Sequence, residues 1–323
     1  MEVLVLGSGA GGGVPQWNCH CHNCKAVREG SPHVTERTQS SLAVSPNGKD
    51  WVLINASPDL RQQINQSPQL WPNCGKSRDN SRDGSTISRG TNIKGVILTD
   101  SQIDHTLGLM IMREGLPLDV YCTDIVFEDL SQSLPIFPVM KHWHGGYQRK
   151  TINIDAAGNN HLPAPFKVEK VPELTFYPVP LYSNAPPYSP YRDKPVPGNN
   201  IGLKIVDDNT GHSVFYAPGI VETNDDVEAS LAEVDCAILD ATLWTDDEMI
   251  NHGFSEKTGK DMGHISVGGD TGVVSLLEKF NLKHKILIHI NNTNPILDET
   301  SKEHLFLKER DIVVAKDGMV FNI

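Results

Sequence analysis

The residues best placed to do chemistry begin with Asp104-His105, inside the stretch Gly95–Glu114, GVILTDSQIDHTLGLMIMRE. Gly95 to Thr99 is a short, β-branched apolar run that reads as a buried strand. From Ile103 the apolar spacing turns helical through Leu107, Met110 and Ile111. Asp100–Gln102 is then a strand-to-helix turn, and a carboxylate and an imidazole just beyond it can be aimed at a site and held there. Asp240 has the same placement, at the tip of the apolar strand Cys236–Leu239. His289 lies within Lys285–Ile290 (KILIHI), where a histidine read alone is a satisfied core residue sooner than a ligand.

A second cluster is Asn18-Cys19-His20-Cys21-His22-Asn23-Cys24. Three thiols in a C-x-C-x-x-C spacing can converge on one ion, and thiolate suits zinc at Zn–S distances of about 2.3 Å. Buried free thiols or a redox pair are the alternatives, but no strand-to-helix C-x-x-C arrangement of the redox kind accompanies them. Structural zinc on Cys19, Cys21 and Cys24 is the expectation, with His20 and His22 as local sources of a fourth ligand. Gly7-Ser8-Gly9-Ala10-Gly11-Gly12 formally matches G-x-G-x-x-G, yet Gly13-Val14-Pro15-Gln16 follows where a phosphate-binding helix would have to open. A tight glycine loop beside a metal site is the better reading. His142 and His144 stand among aromatics and glycines in Phe137–Tyr147; exposed loop histidines are the plainer reading, with substrate or metal contact as alternatives.

These side chains need a scaffold, and the chain supplies one. Strands are expected at Val3–Leu6, at Ser40–Ser45 and Trp51–Asn55 around an Asn-Gly turn, and at Leu118–Cys122, Thr151–Asp155 and Phe166–Val179. A hairpin joins Ile201–Val206 to Ser213–Ala217, and strands turned at Asp317-Gly318 fill Ile312–Ile323. Helices are expected at Asp59–Gln66, Asp124–Ser133, Asn224–Val234, Asp270–Phe280 and Ser301–Arg310. Residues 73–92 are polar and nearly free of aliphatics, which predicts a mobile surface insertion. Tyr182–Asn200, with five prolines and three tyrosines, predicts an irregular loop suited to binding. Strands first and last in each half, with helices between, predict an α/β chain: two sheets face to face, helices outside, one domain over residues 1–323.

A formal charge of −12 argues against a nucleic-acid surface, which needs a basic footprint. No apolar run approaches the roughly 20 residues needed to cross a bilayer, so no membrane partner is expected. MEVLVLGSG, with an acidic second residue, reads as a strand rather than a signal peptide. Three of the six cysteines crowd into Cys19–Cys24 while Cys74, Cys122 and Cys236 are scattered. That is no disulfide framework, so a reducing cytoplasm is the expected compartment.

Asp100-Ser101-Gln102-Ile103-Asp104-His105 resembles the His-x-His-x-Asp-His motif of metallo-β-lactamase-fold hydrolases, with the first two histidines replaced and the Asp-His pair kept. Taken with Gly7–Cys21, Thr99–Gly108 and His289-Ile290-Asn291-Asn292-Thr293-Asn294-Pro295, the chain is similar to the B-protein family of pyrroloquinoline quinone (PQQ) biosynthesis within that superfamily. The resemblance implies an αβ/βα four-layer sandwich of two mixed β-sheets. Carried over by position, it makes Asp104, His105 and His289 one metal's ligands and leaves the second metal's positions without histidine or bridging carboxylate. The bridge would fall in Tyr216-Ala217-Pro218-Gly219 and the mid-chain histidine near Tyr182-Ser183. It also places Asn292, a poor ligand, where zinc-loop relatives carry a histidine on the structural zinc.

Two imidazoles and a carboxylate are the ligand set of non-haem Fe(II) oxygenases, whereas zinc on the same set would activate water. The resemblance therefore implies Fe2+ on Asp104, His105 and His289, O2 as co-substrate, and hydroxylation of the tyrosine ring of a cross-linked Glu–Tyr intermediate on the way to PQQ. A substrate with several carboxylates calls for arginine. Arg113 is nearest in sequence, ahead of Arg37, Arg149 and Arg192, and Asp240, placed with the substrate-binding residues, serves as a histidine orienter or a weak extra ligand. A carrier that binds PQQ for release or transport, and a metal-dependent hydrolase, are the alternatives. A homodimer is compatible with each.

Overall fold

A computed structural model describes residues 1–72, 90–155 and 163–323. The expected insertion at 73–92 lies outside these residues except for 90–92.

The chain begins with β1 (Glu2–Gly7), β2 (Ser41–Ser45), β3 (Trp51–Ile54), β4 (Ile93–Ile97), β5 (Leu118–Cys122) and β6 (Tyr147–Thr151). It continues with β7 (Phe166–Val168), β8 (Val171–Pro180), β9 (Ile201–Asp207), β10 (Ser213–Ala217), β11 (Cys236–Asp240), β12 (His284–Ile288), β13 (Ile312–Val314) and β14 (Val320–Asn322). Among the described residues they form two seven-stranded sheets, ordered β14-β1-β2-β3-β4-β5-β6 and β13-β12-β11-β10-β9-β8-β7. Each sheet is antiparallel over one part and parallel over the other: β1, β2 and β3 alternate, then β3 to β6 run together, and β7 to β10 alternate before β10 to β13 run together. The two halves are thus variations on one plan.

Strand periodicity explains the layers. Side chains alternate across a strand, and both faces are apolar here. Val3, Val5, Ile97, Ile238, Ile286 and Ile288 meet between the sheets. Leu4, Leu6, Val96 and Leu98 face the helices outside the first sheet, and Ala237, Leu239 and Leu287 those outside the second. The result is the metallo-β-lactamase fold, helices and sheet against sheet and helices.

Two expectations need correction. The strand expected at Thr151–Asp155 lies earlier, at Tyr147–Thr151, and forms the edge of the first sheet; edge strands tolerate charge such as Arg149 and Lys150. The turn expected at Asp317-Gly318 is present, and the strands on either side of it, β13 and β14, border opposite sheets. The helical spacing after Ile103 becomes one α-turn, Ile103–Thr106, followed by a tighter 3-10 run over Leu107–Gly115.

The parallel strands end on the same rim, where loops of α/β sheets carry their sites. Asp100–His105 leaves β4, Pro218-Gly219 follows β10, Asp240 ends β11, His289 follows β12, and the glycine loop follows β1. Bonds tie that loop to its neighbours: Gly9 N–H donates to Thr38 O at 2.8 Å and Ala10 N–H to Ile290 O at 2.9 Å.

Candidate metal centre

Asp104 and His105 sit on the single α-turn beyond β4. Gly108 allows that turn to press on the strand-end loop at Ala56 and Ser57, since a Cβ there would lie 2.2 Å from Ser57 O. Backbone bonds lock the approach: Ala56 N–H donates to His105 O at 2.7 Å and Gly108 N–H to Ala56 O at 2.9 Å. His289 is not inside its strand but one residue past it, in the left-handed region at φ 60°. That kink turns its ring out of the core and toward Asp104.

The three side chains come together. His289 Nε2 lies 3.3 Å and His105 Nε2 3.9 Å from Asp104 Oδ2, and one ligand atom from each falls within 4.8 Å of the others. His105 Nε2 is buried without a hydrogen-bond partner. Such an orphan costs free energy unless something takes its lone pair, and a cation does so. The donor set fits a divalent metal.

The surroundings fix both rings. His105 Nδ1–H donates to Asp100, 2.8 Å from Oδ2 and 2.9 Å from Oδ1, so in the neutral ring Nε2 carries the lone pair. The Thr242 hydroxyl donates to Asp240 Oδ1 at 2.6 Å and therefore accepts from His289 Nδ1–H at 2.8 Å, again leaving Nε2 as the donor to the site. Burial opposes charge on His105, but Asp100 and then Asp104 outweigh it, and its pKa stands at about 9. Burial likewise opposes charge on Asp104, and His105 and His289 hold it well below the usual carboxylate range.

Sequence reasoning missed His264. Its Nδ1 lies 2.6 Å from Asp240 Oδ2, and its ring stacks on His289 at a 5.2 Å centroid separation. Asp240, His264 and His289 bring donor atoms within 4.8 Å as a second group. Burial opposes charge on both members of the Asp240–His264 pair, and their mutual attraction lowers the acid and raises the histidine. Asp240 thus orients histidines from behind, one of the two roles expected of it. The only sequence signal for His264 was its position beside Gly263, the left-handed C-cap of the short helix Gly259–Met262.

The positions of a second metal are occupied by hydrogen bonds. Both Asp100 oxygens are engaged, by His105, by Gln102 N–H at 2.9 Å and by the Thr99 hydroxyl at 2.9 Å. Gln102 Nε2 donates to Asn184 O at 3.3 Å. Pro218, Gly219 and Ser183 line the cavity and offer no carboxylate or imidazole.

That cavity, of about 280 Å³, opens over Asp104, His105, His264 and His289. Arg113 does not line it, contrary to expectation. It faces a separate depression, pairs with Glu114 at 2.7 Å and lies over Trp143. Arg149 pairs with Asp124 over Phe127, and Arg37 is buried against Thr35 and Glu36. The arginine in the wall is Arg192, from the proline-rich loop. His142 and His144 are exposed and outside the cavity.

Cys19, Cys21 and Cys24 form the other group, their sulfurs within 4.8 Å of one another. Asn292 Nδ2 lies over all three, at 3.0, 3.5 and 3.3 Å. Neither local histidine joins them. His22 is exposed and bonds Asp298 at 3.2 Å, and His20 is exposed. Burial pushes the Cys21 thiol up to about 12. Three converging sulfurs fit zinc, while Asn292 turns its NH2 toward them and in that orientation offers no lone pair to a fourth position. The glycine loop opens no helix, since the next one starts at His22.

A family model described as a beta-lactamase superfamily domain matches residues 50–290. "Coenzyme PQQ synthesis protein B" of Acinetobacter baylyi is 48% identical over 323 residues, covering 100% of both chains. Its namesake from Klebsiella pneumoniae subsp. pneumoniae is 47% identical, covering 100% of this chain and 98% of that one. The crystal structure of Zn2+-bound PqqB from Methylobacterium extorquens superposes with a TM-score of 0.87 at 36% identity, over 100% of both chains. The chain belongs to the beta-lactamase superfamily and, within it, to the coenzyme PQQ synthesis protein B family.

Proposed function

We propose that this chain acts in PQQ biosynthesis, as the names of its relatives suggest, and that it hydroxylates the tyrosine ring of a cross-linked Glu–Tyr intermediate. One observation carries the reading: Asp104, His105 and His289 converge on a single point while the partner position is filled by the bonded pair Asp100–His105. A lone ion held by two imidazoles and a carboxylate keeps coordination positions open. Ferrous iron there would supply O2 activation, one oxygen atom entering the ring and the other leaving as water with two electrons and two protons from a reductant. Asp100 and Thr242 hold the two imidazoles in the tautomer that faces the cavity. Asp240 keeps His264 oriented at the cavity wall, where it can take or return a phenolic proton.

The experiment is anaerobic loading with Fe(II), exposure to oxygen, and mass analysis of the intermediate. A gain of one oxygen atom is expected; an unchanged mass with fully metallated protein overturns the reading. A second reading, metal-dependent hydrolysis on zinc, draws on the Asp240–His264 pair beside the site and the zinc-bound relative. Turnover of phosphodiester or amide substrates on zinc add-back would favour it. A carrier of the finished quinone would bind it unchanged after His105→Ala.

A further inference from the structure

Two polar groups in the cavity wall are used neither by the metal ligands nor by their supports. Arg192 is the one lysine or arginine lining the cavity among the described residues. Its Nη1 donates to Ala185 O at 2.6 Å, which fixes the guanidinium on the loop, and no carboxylate pairs with it among the described residues. Asn200 ends the same loop and is 5% exposed. Its Nδ2 donates to Gly219 O at 3.2 Å, which leaves Oδ1 buried without a donor. Asn200 is also fixed in place: its backbone bridges Asp100, and Ile201 N–H donates to Thr99 O at 2.9 Å.

A buried acceptor without a donor is costly until a ligand supplies one. The guanidinium presents a planar fork of donors that matches a carboxylate, and an amide oxygen takes an N–H or O–H. We propose that Arg192 and Asn200 form the substrate-orienting end of the cavity, Arg192 receiving a carboxylate and Asn200 Oδ1 an N–H or O–H of an aromatic, amino-acid-derived anion. The inference rests on the enzymatic reading above and adds the side chains that grip the substrate. It also replaces Arg113 in that role.

The test is binding, measured apart from turnover. Pyrroloquinoline quinone, a planar tricarboxylate, and its trimethyl ester are titrated into zinc-loaded wild type, Arg192→Ala, Arg192→Lys and Asn200→Ala. The quinone Kd is expected to rise roughly 10- to 100-fold in Arg192→Ala. The rise should be smaller in Arg192→Lys, which keeps the charge but not the fork, and several-fold in Asn200→Ala. The ester should bind wild type weakly and lose nothing further in Arg192→Ala. Equal quinone affinity in wild type and Arg192→Ala, at matched melting temperature and metal content, overturns the subsite. If Arg192→Ala fails to fold, an ester that binds wild type as tightly as the quinone overturns it instead. Arginine-dependent binding without ring hydroxylation by iron-loaded protein keeps the subsite and removes the oxygenase. Hydroxylation with an unchanged KM in Arg192→Ala does the reverse.

Discussion

Replacing Asp100 by asparagine isolates the charge behind His105. Asp100 Oδ1 accepts from Gln102 N–H and Oδ2 from the Thr99 hydroxyl, each at 2.9 Å, while His105 Nδ1–H reaches both oxygens. An asparagine oxygen in the Oδ1 place keeps Gln102 and His105. Its NH2 then faces Thr99, whose hydroxyl can turn to Asn55 Oδ1, 3.1 Å away. That NH2 also stands 2.8 Å from His105 Nδ1–H, donor against donor, so the ring must lean onto the Oδ1 side and folding loses roughly 1–3 kcal/mol. What disappears is the buried negative charge.

The effect on metal affinity depends on pH. In metal-free wild type, His105 has a pKa of about 9, so at pH 7 a metal must displace a proton at a cost of roughly 100-fold in affinity. At pH 9.5 that competition has nearly vanished. The variant's imidazole falls back toward its ordinary range, with Asp104 still raising it and burial lowering it, and competition weakens at pH 7. The variant also loses the anion that strengthens the imidazole as a ligand, worth roughly 10- to 100-fold. The two effects oppose at pH 7 and only the second survives at pH 9.5. Chelator competition on protein with its cysteine site already filled should therefore find similar affinities at pH 7, and wild type tighter by roughly 10- to 100-fold at pH 9.5. A ratio that stays flat between these pH values would refute the assignment of Asp100 as the charge behind a ligating His105.

Thr242→Val removes the acceptor for His289 Nδ1–H and the donor to buried Asp240; active-site metal affinity should fall about 10-fold and stability by roughly 1–3 kcal/mol, read by chelator competition and urea melts. Gly108→Ala drives a methyl into Ser57 O, and urea denaturation should report a loss of about 3 kcal/mol together with weaker metal binding, because the same turn carries His105. Zinc uptake by the cysteine group at pH 7 should release protons to an indicator dye, since a thiol pushed up to about 12 stays protonated until metal displaces it. Cys21→Ser should lose that zinc; full retention would remove the assignment.

Asp104 and His105 were legible because a short apolar run followed by polar residues marks a strand end, and the fold keeps that geometry. His289 was legible by resemblance only, because its apolar surroundings read as core; the left-handed kink that frees it lies one residue past the strand. Arg113 misled because nearness along the chain is not nearness in space. The 3-10 run Leu107–Gly115 carries it to a different depression, while Arg192 returns to the cavity on a loop whose Tyr188, 87 residues beyond Ser101, bonds Ser101 O. Local patterns report periodicity, and neither Arg192 nor His264 belongs to a periodic element. The turn chemistry of Asp317-Gly318 was legible, but only the packing of the sheets decides which edge β13 and β14 each join.

On this reading a single ion is held by Asp104, His105 and His289, apart from the cysteine zinc. The most direct test is an anaerobic Fe(II) titration of protein whose cysteine site is zinc-filled, wild type beside His289→Ala. Wild type should take up one iron per chain and the variant none, with zinc unchanged in both. Two irons per chain, or one that survives the loss of His289, would contradict it.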